Sequence, residues 1–180
     1  MKRQNHPPEM FRCAYPAPYP PVRVQGPNPL YAELLLEDYA GVVSELTAIN
    51  QYLHHYFVLE EVNEEVAELE ECISLVEMHH LDLLAETIRL LGVDPRYRVY
   101  QNNQEIYWNA SYVYYGLSLC DRLAADIAAE WAAIAAYRDH QKKIGDTYIK
   151  ELLERIILDE YHHIRLFNEA LTKYCRVNVK

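Results

Sequence analysis

Apolar residues recur at helical spacing through four long stretches of the chain, and the breaks between them fall at Gly, Pro and Asn. The pattern predicts a first helix from about Leu30 to Leu59, opened by Asn28-Pro29 as N-cap and first helical residue. A second runs from about Asn63 to Leu91 and stops at Gly92-Val-Asp-Pro95. Residues 93 to about 108 show no clear period, hold Asn102, Asn103 and several tyrosines, and read as a crossover connection. A third helix, rich in alanine, runs from about Asn109 to Lys142. Gly145-Asp146 then breaks and recaps the chain, and a fourth helix reaches about Tyr174.

Helices of about thirty residues are each ~45 Å long at ~1.5 Å per residue. The short first-to-second and third-to-fourth connections make antiparallel hairpins, and the longer link between them makes a single crossover. The expectation is an all-α chain: an extended arm over residues 1–29, a four-helix bundle over 30–174 and a short tail over 175–180. Eight of the nine prolines precede Leu30, in stretches such as Tyr15-Pro-Ala-Pro-Tyr-Pro-Pro21 that cannot join a helix. Such an arm is either a disordered tail or a segment whose tyrosines pack on the bundle or on a neighbouring subunit.

Polar residues at inward positions carry the chemistry. Glu45-Leu-Thr-Ala48-Ile49-Asn-Gln-Tyr52 is followed by Glu77-Met-His79-His80, and Glu130-Trp-Ala-Ala133-Ile134-Ala-Ala-Tyr137 by Glu160-Tyr-His162-His163. The chain thus repeats E-x-x-A-I-x-x-Y and E-x-H-H in each half. Each glutamate falls near the middle of its helix, so all four lie at one level of the bundle. Residues i and i+3 are about 60° apart around a helix, so Glu77 shares a face with His80, and Glu160 with His163. His79 and His162, at i+2, point away.

Four carboxylates and two neutral imidazoles carry a formal charge near −4, which two divalent ions balance. Unpaired, such a buried layer costs several kcal/mol per ion. Carboxylate-rich ligation with two imidazoles suits iron or manganese.

The set Glu45, Glu77-x-x-His80, Glu130, Glu160-x-x-His163 resembles the ferritin-like dimetal-carboxylate proteins: rubrerythrins, bacterioferritins and manganese catalases. That resemblance implies a ferritin-like antiparallel four-helix bundle holding two Fe or two Mn ions. Glu77 and Glu160 would bridge the ions, Glu45 and Glu130 would be terminal ligands, and His80 and His163 would cap one ion each. Asp159 matches the D-E-x-x-H form of the family's last helix, where the aspartate hydrogen-bonds a ligand histidine from another helix. Upstream, Tyr19-Pro-Pro-Val-Arg-Val-x-Gly-Pro-Asn-Pro29 with Tyr39-Ala-Gly41 is similar to the start of spore-coat proteins related to manganese catalase.

The expected function is a dinuclear oxidoreductase acting on hydrogen peroxide or oxygen, of catalase, peroxidase or ferroxidase type. The alternatives are an iron-storage cage subunit and a coat-type structural protein retaining the site. Tyr52 and Tyr137, seven residues after a glutamate, are either an aromatic core layer or donors behind the ligands. His55 and His140, ten residues after each glutamate, are expected at the surface or the bundle ends. The acidic run Glu60 to Glu71 reads as a solvated face that complements a helix dipole, with an ion-attracting entrance as the alternative.

A formal charge of −10 argues against nucleic acid and against an anionic membrane surface. No apolar run approaches the ~20 residues of a membrane span. The start, Met1-Lys-Arg-Gln-Asn-His, lacks an apolar secretory segment. Cys13, Cys72, Cys120 and Cys175 are widely spaced and read as reduced thiols. The chain is therefore expected in the cytoplasm, with the spore coat as the alternative, as a homo-oligomer of two or more subunits.

Overall fold

A computed structural model describes residues 12–175 of the chain. The first eleven residues of the expected arm and the last five of the expected tail lie outside the described residues. Among the described residues five α-helices form: α1 (Pro29–Ala40), α2 (Glu45–Leu59), α3 (Glu64–Leu90), α4 (Leu119–Lys143) and α5 (Thr147–Tyr174). Their starts follow from side-chain caps: Asn28, Ser44, Asn63, Ser118 and Asp146 each accept a backbone N–H of the first turn. Gly92 adopts φ +91, the left-handed conformation that closes α3 where the sequence signalled a stop.

Two expectations need correction. The single helix expected over Leu30–Leu59 is broken after Ala40. A Cβ at Gly41 would lie 2.5 Å from the Glu37 carbonyl oxygen. The Ser44 and Thr47 hydroxyls donate to the Gly41 carbonyl at 2.8 and 3.1 Å, replacing the helical partner that this carbonyl loses. The third helix starts ten residues later than expected, at Leu119, because Asn109 caps only a 3-10 turn over Ala110–Tyr112. The crossover also contains an antiparallel hairpin, β1 (Arg98–Gln101) and β2 (Gln104–Tyr107). Asn102 and Asn103 turn it, both at positive φ (52° and 60°), as a two-residue primed turn requires.

Helices α2, α3, α4 and α5 make the ferritin-like bundle, with α2 packed on α3 and α4 on α5. Apolar side chains divide into two clusters. One holds Leu83, Leu84 and Ile88 of α3 with Ile134 of α4 and Ile156 of α5. The other holds Tyr52 and Leu59 of α2, Ile73 of α3, Leu123 of α4 and Phe167 of α5. One cluster thus takes residues after Glu77 and Glu130, and the other takes residues after Glu45 and Glu160. Helices α3 and α4 therefore run parallel, and α2 and α5 run against them. The crossover returns the chain along the bundle's length, and the four glutamates fall between the two clusters.

The arm is ordered over its described part. Arg155 of α5 donates to the carbonyls of Ala17 (2.9 Å) and Tyr15 (2.8 Å) and stacks on the Tyr19 ring at 3.9 Å. Of the two readings of the arm, its tyrosines pack on the bundle.

The cysteines correct a further expectation. Cys13 is bonded to Cys72 of α3 and Cys120 to Cys175, so no free thiol remains among the described residues. Their wide spacing in sequence concealed pairings that only the folded bundle creates. One bridge fastens the arm to α3, and the other joins the start of α4 to the end of α5. Among the described residues, no helix is long and apolar enough to cross a membrane.

Candidate metal centre

Glu45 (α2), Glu77 and His80 (α3), Glu130 (α4), and Glu160 and His163 (α5) meet between the two apolar clusters, and none is more than 3% exposed. Two groups form, Glu45–Glu77–His80–Glu160 and Glu77–Glu130–Glu160–His163, each offering donor atoms within 4.8 Å of one another. Glu77 and Glu160 belong to both. His80 Nδ1 lies 2.8 Å from Glu77 Oε2, 3.4 Å from Glu160 Oε1 and 3.5 Å from Glu45 Oε2. His163 Nδ1 lies 3.0 Å from Glu77 Oε1, 3.1 Å from Glu160 Oε2 and 3.4 Å from Glu130 Oε1. Each shared carboxylate therefore turns one oxygen to each imidazole, and the ring centroids stand 6.2 Å apart.

This packing is costly without a counter-ion. Glu77 Oε1 and Glu160 Oε1 are buried and, apart from the ion-pair contacts of His163 and His80, have no hydrogen-bond partner among the described residues. Burial and the Glu77 charge push the Glu45 and Glu130 carboxyls well above the usual range. For Glu77, burial acts the same way, but His163 and His80 outweigh it and hold its carboxyl low. Burial opposes charge on His80 and His163 too; their surrounding carboxylates overcome it and raise both imidazoles. Four oxygen-donor side chains and two imidazoles, with orphaned oxygens facing inward, fit a pair of divalent transition ions in stoichiometry and charge.

The surrounding groups are crossed between helices. The Tyr52 hydroxyl of α2 donates to Glu130 Oε1 of α4 at 2.7 Å, and the Tyr137 hydroxyl of α4 donates to Glu45 Oε1 of α2. Because α2 and α4 are antiparallel, a tyrosine seven residues beyond one glutamate lies beside the glutamate of the other helix.

Asp159 accepts from His80 Nε2 at 2.9 Å and from the Tyr19 hydroxyl and the Tyr15 N–H, each at 2.6 Å. The Arg155 guanidinium lies 2.6 Å from it. Against the pull of burial, His80 and these donors hold its carboxyl well below the usual range.

The halves differ here. His163 Nε2 is buried without a partner. In the repeat, the residue corresponding to Asp159 is Val76, which has no acceptor to offer. Tyr19 stood in the upstream spore-coat-like stretch with no role assigned to it, and Arg155 had no motif to announce it; the i,i+4 spacing of Arg155 and Asp159 was the available signal.

His79 and His162 are half-buried and join neither group, packing instead against the rings of Tyr19 (4.6 Å) and Tyr15 (6.4 Å). His55 and His140, expected at the surface or the ends, are buried. His140 Nδ1 pairs with Asp38 at 2.7 Å, and His55 Nδ1 with Asp126 at 3.0 Å. Each histidine found a carboxylate from an antiparallel neighbour, which single-helix spacing could not foresee. The acidic run is solvated at Glu60, Glu61, Glu64, Glu65, Glu68 and Glu71, but Glu70 is fully buried.

A cavity of about 370 Å³ reaches the centre between α2 and α4. Its walls include Ala48, Ala125, Ala129, Ala133 and Tyr112, and its floor is Glu45, Glu77, Glu130 and Glu160. The small side chains that made α4 read as alanine-rich leave the seam unfilled.

A family model described as a ferritin-like domain matches residues 40–177. The chain belongs to the ferritin-like family. Among solved structures this ferritin-like chain is similar to KatB, a manganese catalase from Anabaena, with 26% identity and a TM-score of 0.81 over 92% of this chain and 81% of that one. It is 30% identical to a bacterioferritin of Brucella melitensis over 74% of this chain and 79% of the relative. It is 28% identical to protein CotJC of Bacillus subtilis over 84% and 88% respectively.

Proposed function

We propose that the chain is a dinuclear manganese or iron oxidoreductase acting on hydrogen peroxide or oxygen. The observation that carries this reading is the sharing of Glu77 and Glu160 between two otherwise separate donor groups. Glu45 and His80 would complete one ion's set, and Glu130 and His163 the other's. Two such ions supply the two-electron capacity that peroxide disproportionation or oxygen reduction needs.

The protein supplies the rest. Tyr52 and Tyr137 hold Glu130 and Glu45 by their hydroxyls, and each hydroxyl–carboxylate bond offers a proton donor beside the centre. Asp159 fixes the His80 tautomer by accepting from Nε2, which leaves Nδ1 to face the carboxylates. The alanine-walled cavity admits a small substrate and limits bulk water. The likeness to the Anabaena manganese catalase over 92% of the chain favours peroxide as substrate.

The test is peroxide turnover by protein loaded with manganese or with iron, with and without an electron donor. Donor-independent oxygen release supports catalase-type activity. Loss of turnover in Glu77→Ala, with helicity unchanged, ties it to this centre. Absence of turnover of either oxidant with both ions bound would refute the proposal.

The bacterioferritin likeness favours iron storage as the second reading. A storage cage would elute as a very large assembly that retains iron. The exposed apolar residues Phe57, Val58 and Val62 support assembly of either kind. The resemblance of the Tyr19–Pro29 stretch to spore-coat proteins, together with the two disulfides, favours a spore-coat location over a reducing compartment.

A further inference from the structure

His55 of α2, Glu70 of α3 and Asp126 of α4 form a third group of donor atoms within 4.8 Å of one another, apart from the six residues of the central cluster. All three side chains are fully buried. His55 Nδ1 is 3.0 Å from Asp126 Oδ2 and 4.0 Å from Glu70 Oε1.

The hydrogen bonds around the group define what it lacks. His55 Nε2 is 2.8 Å from the Tyr114 carbonyl oxygen. A carbonyl can only accept, so Nε2 carries the hydrogen. In the neutral ring the bare lone pair is then on Nδ1, facing two carboxylates. Gln51 Nε2 donates to Asp126 Oδ1 at 2.8 Å, and Gln51 Oε1 accepts from the Tyr114 N–H at 2.9 Å, so Asp126 is held in place. Glu70 has no such support: neither of its carboxylate oxygens has a hydrogen-bond partner among the described residues. With His55 neutral, a lone pair and two carboxylates converge; with Nδ1 protonated, the imidazolium instead donates to Asp126 at 3.0 Å.

We infer that His55, Glu70 and Asp126 form a mononuclear site for a divalent transition-metal ion, separate from the central pair. The donor set, one imidazole nitrogen with carboxylate oxygens, suits Mn²⁺ or Fe²⁺. His55 matches His80 in arrangement, with Nδ1 inward and Nε2 anchored on an acceptor behind it. Three protein ligands leave coordination positions for water, which suits an ion that exchanges.

Placement is set by helix spacing. Asp126 is four residues before Glu130 and Glu70 seven before Glu77, so they lie ~6 Å and ~10 Å along their helices from the central glutamates. Those spacings keep both residues on the inward face, which is why Glu70 departs from the solvated run around it. Tyr52 lies between the two sites in α2, three residues before His55 and bonded to Glu130. The competing occupant is the proton. Burial and the neighbouring Asp126 push the Glu70 carboxyl well above the usual range, and a proton shared between the two carboxyls would also relieve the charge.

Anomalous scattering separates the two occupants. Crystals of the full chain soaked in millimolar Mn²⁺ and measured across the manganese edge should show a peak bounded by His55 Nδ1, Glu70 and Asp126, alongside the central peaks. In Glu70→Gln, which keeps shape and removes one charged ligand, the third peak should vanish while the central peaks stay. Bound manganese by dialysis should fall by one ion per chain.

Central peaks with nothing at His55 would overturn this inference and leave the dinuclear reading intact. A peak at His55 without central peaks would do the reverse. An ion at His55 that persists unchanged in Glu70→Gln would also overturn the assignment.

Discussion

The Tyr52 hydroxyl, on α2, is hydrogen-bonded to Glu130 on α4, 2.7 Å away, although seven residues separate Tyr52 from the glutamate of its own helix. The bond ties the two halves of the repeat together across the seam that the alanine-walled cavity leaves open. Tyr137 makes the same crossing to Glu45.

Tyr52→Phe should therefore loosen Glu130 without emptying the core. The lost hydrogen bond is worth about 0.5–1.5 kcal/mol of stability. Affinity for the ion beside His163 should weaken by roughly tenfold or more, because an oriented ligand becomes free to turn. Isothermal titration of wild type and variant measures both ions; equal affinities would show that the tyrosine only packs.

Asp159 makes the centre unequal. It accepts from His80 Nε2, whereas His163 Nε2 has no partner. The ion beside His80 should bind first and more tightly. Asp159→Asn should weaken that step by about 10–100-fold and leave the other nearly unchanged. A titration with two identical steps in wild type would contradict this.

Metal uptake should be linked to protons. In the metal-free chain, carboxylates raise His80 and His163 in spite of burial, and burial first, then Glu77, raises Glu45 and Glu130. Ions must displace the protons these groups retain, so affinity should rise with pH and loading should release protons. Raised folded-state pKa values also give stability below the unfolded values, about 6.5 for imidazole and 4.3 for carboxyl. That stability is lost as pH rises through the folded values. Metal-free protein should thus melt at lower temperature in alkali, and the loaded form should resist this change. Uptake that is independent of pH would count against the buried cluster.

The disulfides close loops with sequence separations of 59 and 55 residues. Each should contribute about 2–4 kcal/mol, or roughly 5–15 °C in Tm. Thiol titration of denatured protein should find no free cysteine among the four before reduction. Cys13→Ser should also loosen the arm that carries Tyr15 and Tyr19 to Asp159. Four reactive thiols in freshly purified protein would contradict the pairing.

The bundle was legible because its helices are long and their caps are local: Asn63, Gly92 and Asp146 each act within a turn of their own position. The break at Gly41 was not, because apolar periodicity continues through Val42 and Val43 while Ser44 and Thr47 take over the Gly41 carbonyl. Glu77–His80 and Glu160–His163 could be paired from sequence since i,i+3 geometry is intrinsic to a helix. Partnerships between helices were hidden: Tyr52 with Glu130, His55 with Asp126 and Cys13 with Cys72 depend on which helices run antiparallel and at what level. Glu70 was hidden by its neighbours, since one buried carboxylate in an acidic run differs from the rest only by its seven-residue offset from Glu77.

The most direct measurement is anomalous scattering at the manganese and iron edges from crystals of the purified, metal-loaded chain. Two neighbouring peaks, each touching both Glu77 and Glu160, with Glu45 and His80 on one and Glu130 and His163 on the other, are predicted. A single central ion, or none at Glu77 and Glu160 under saturating metal, would contradict the account.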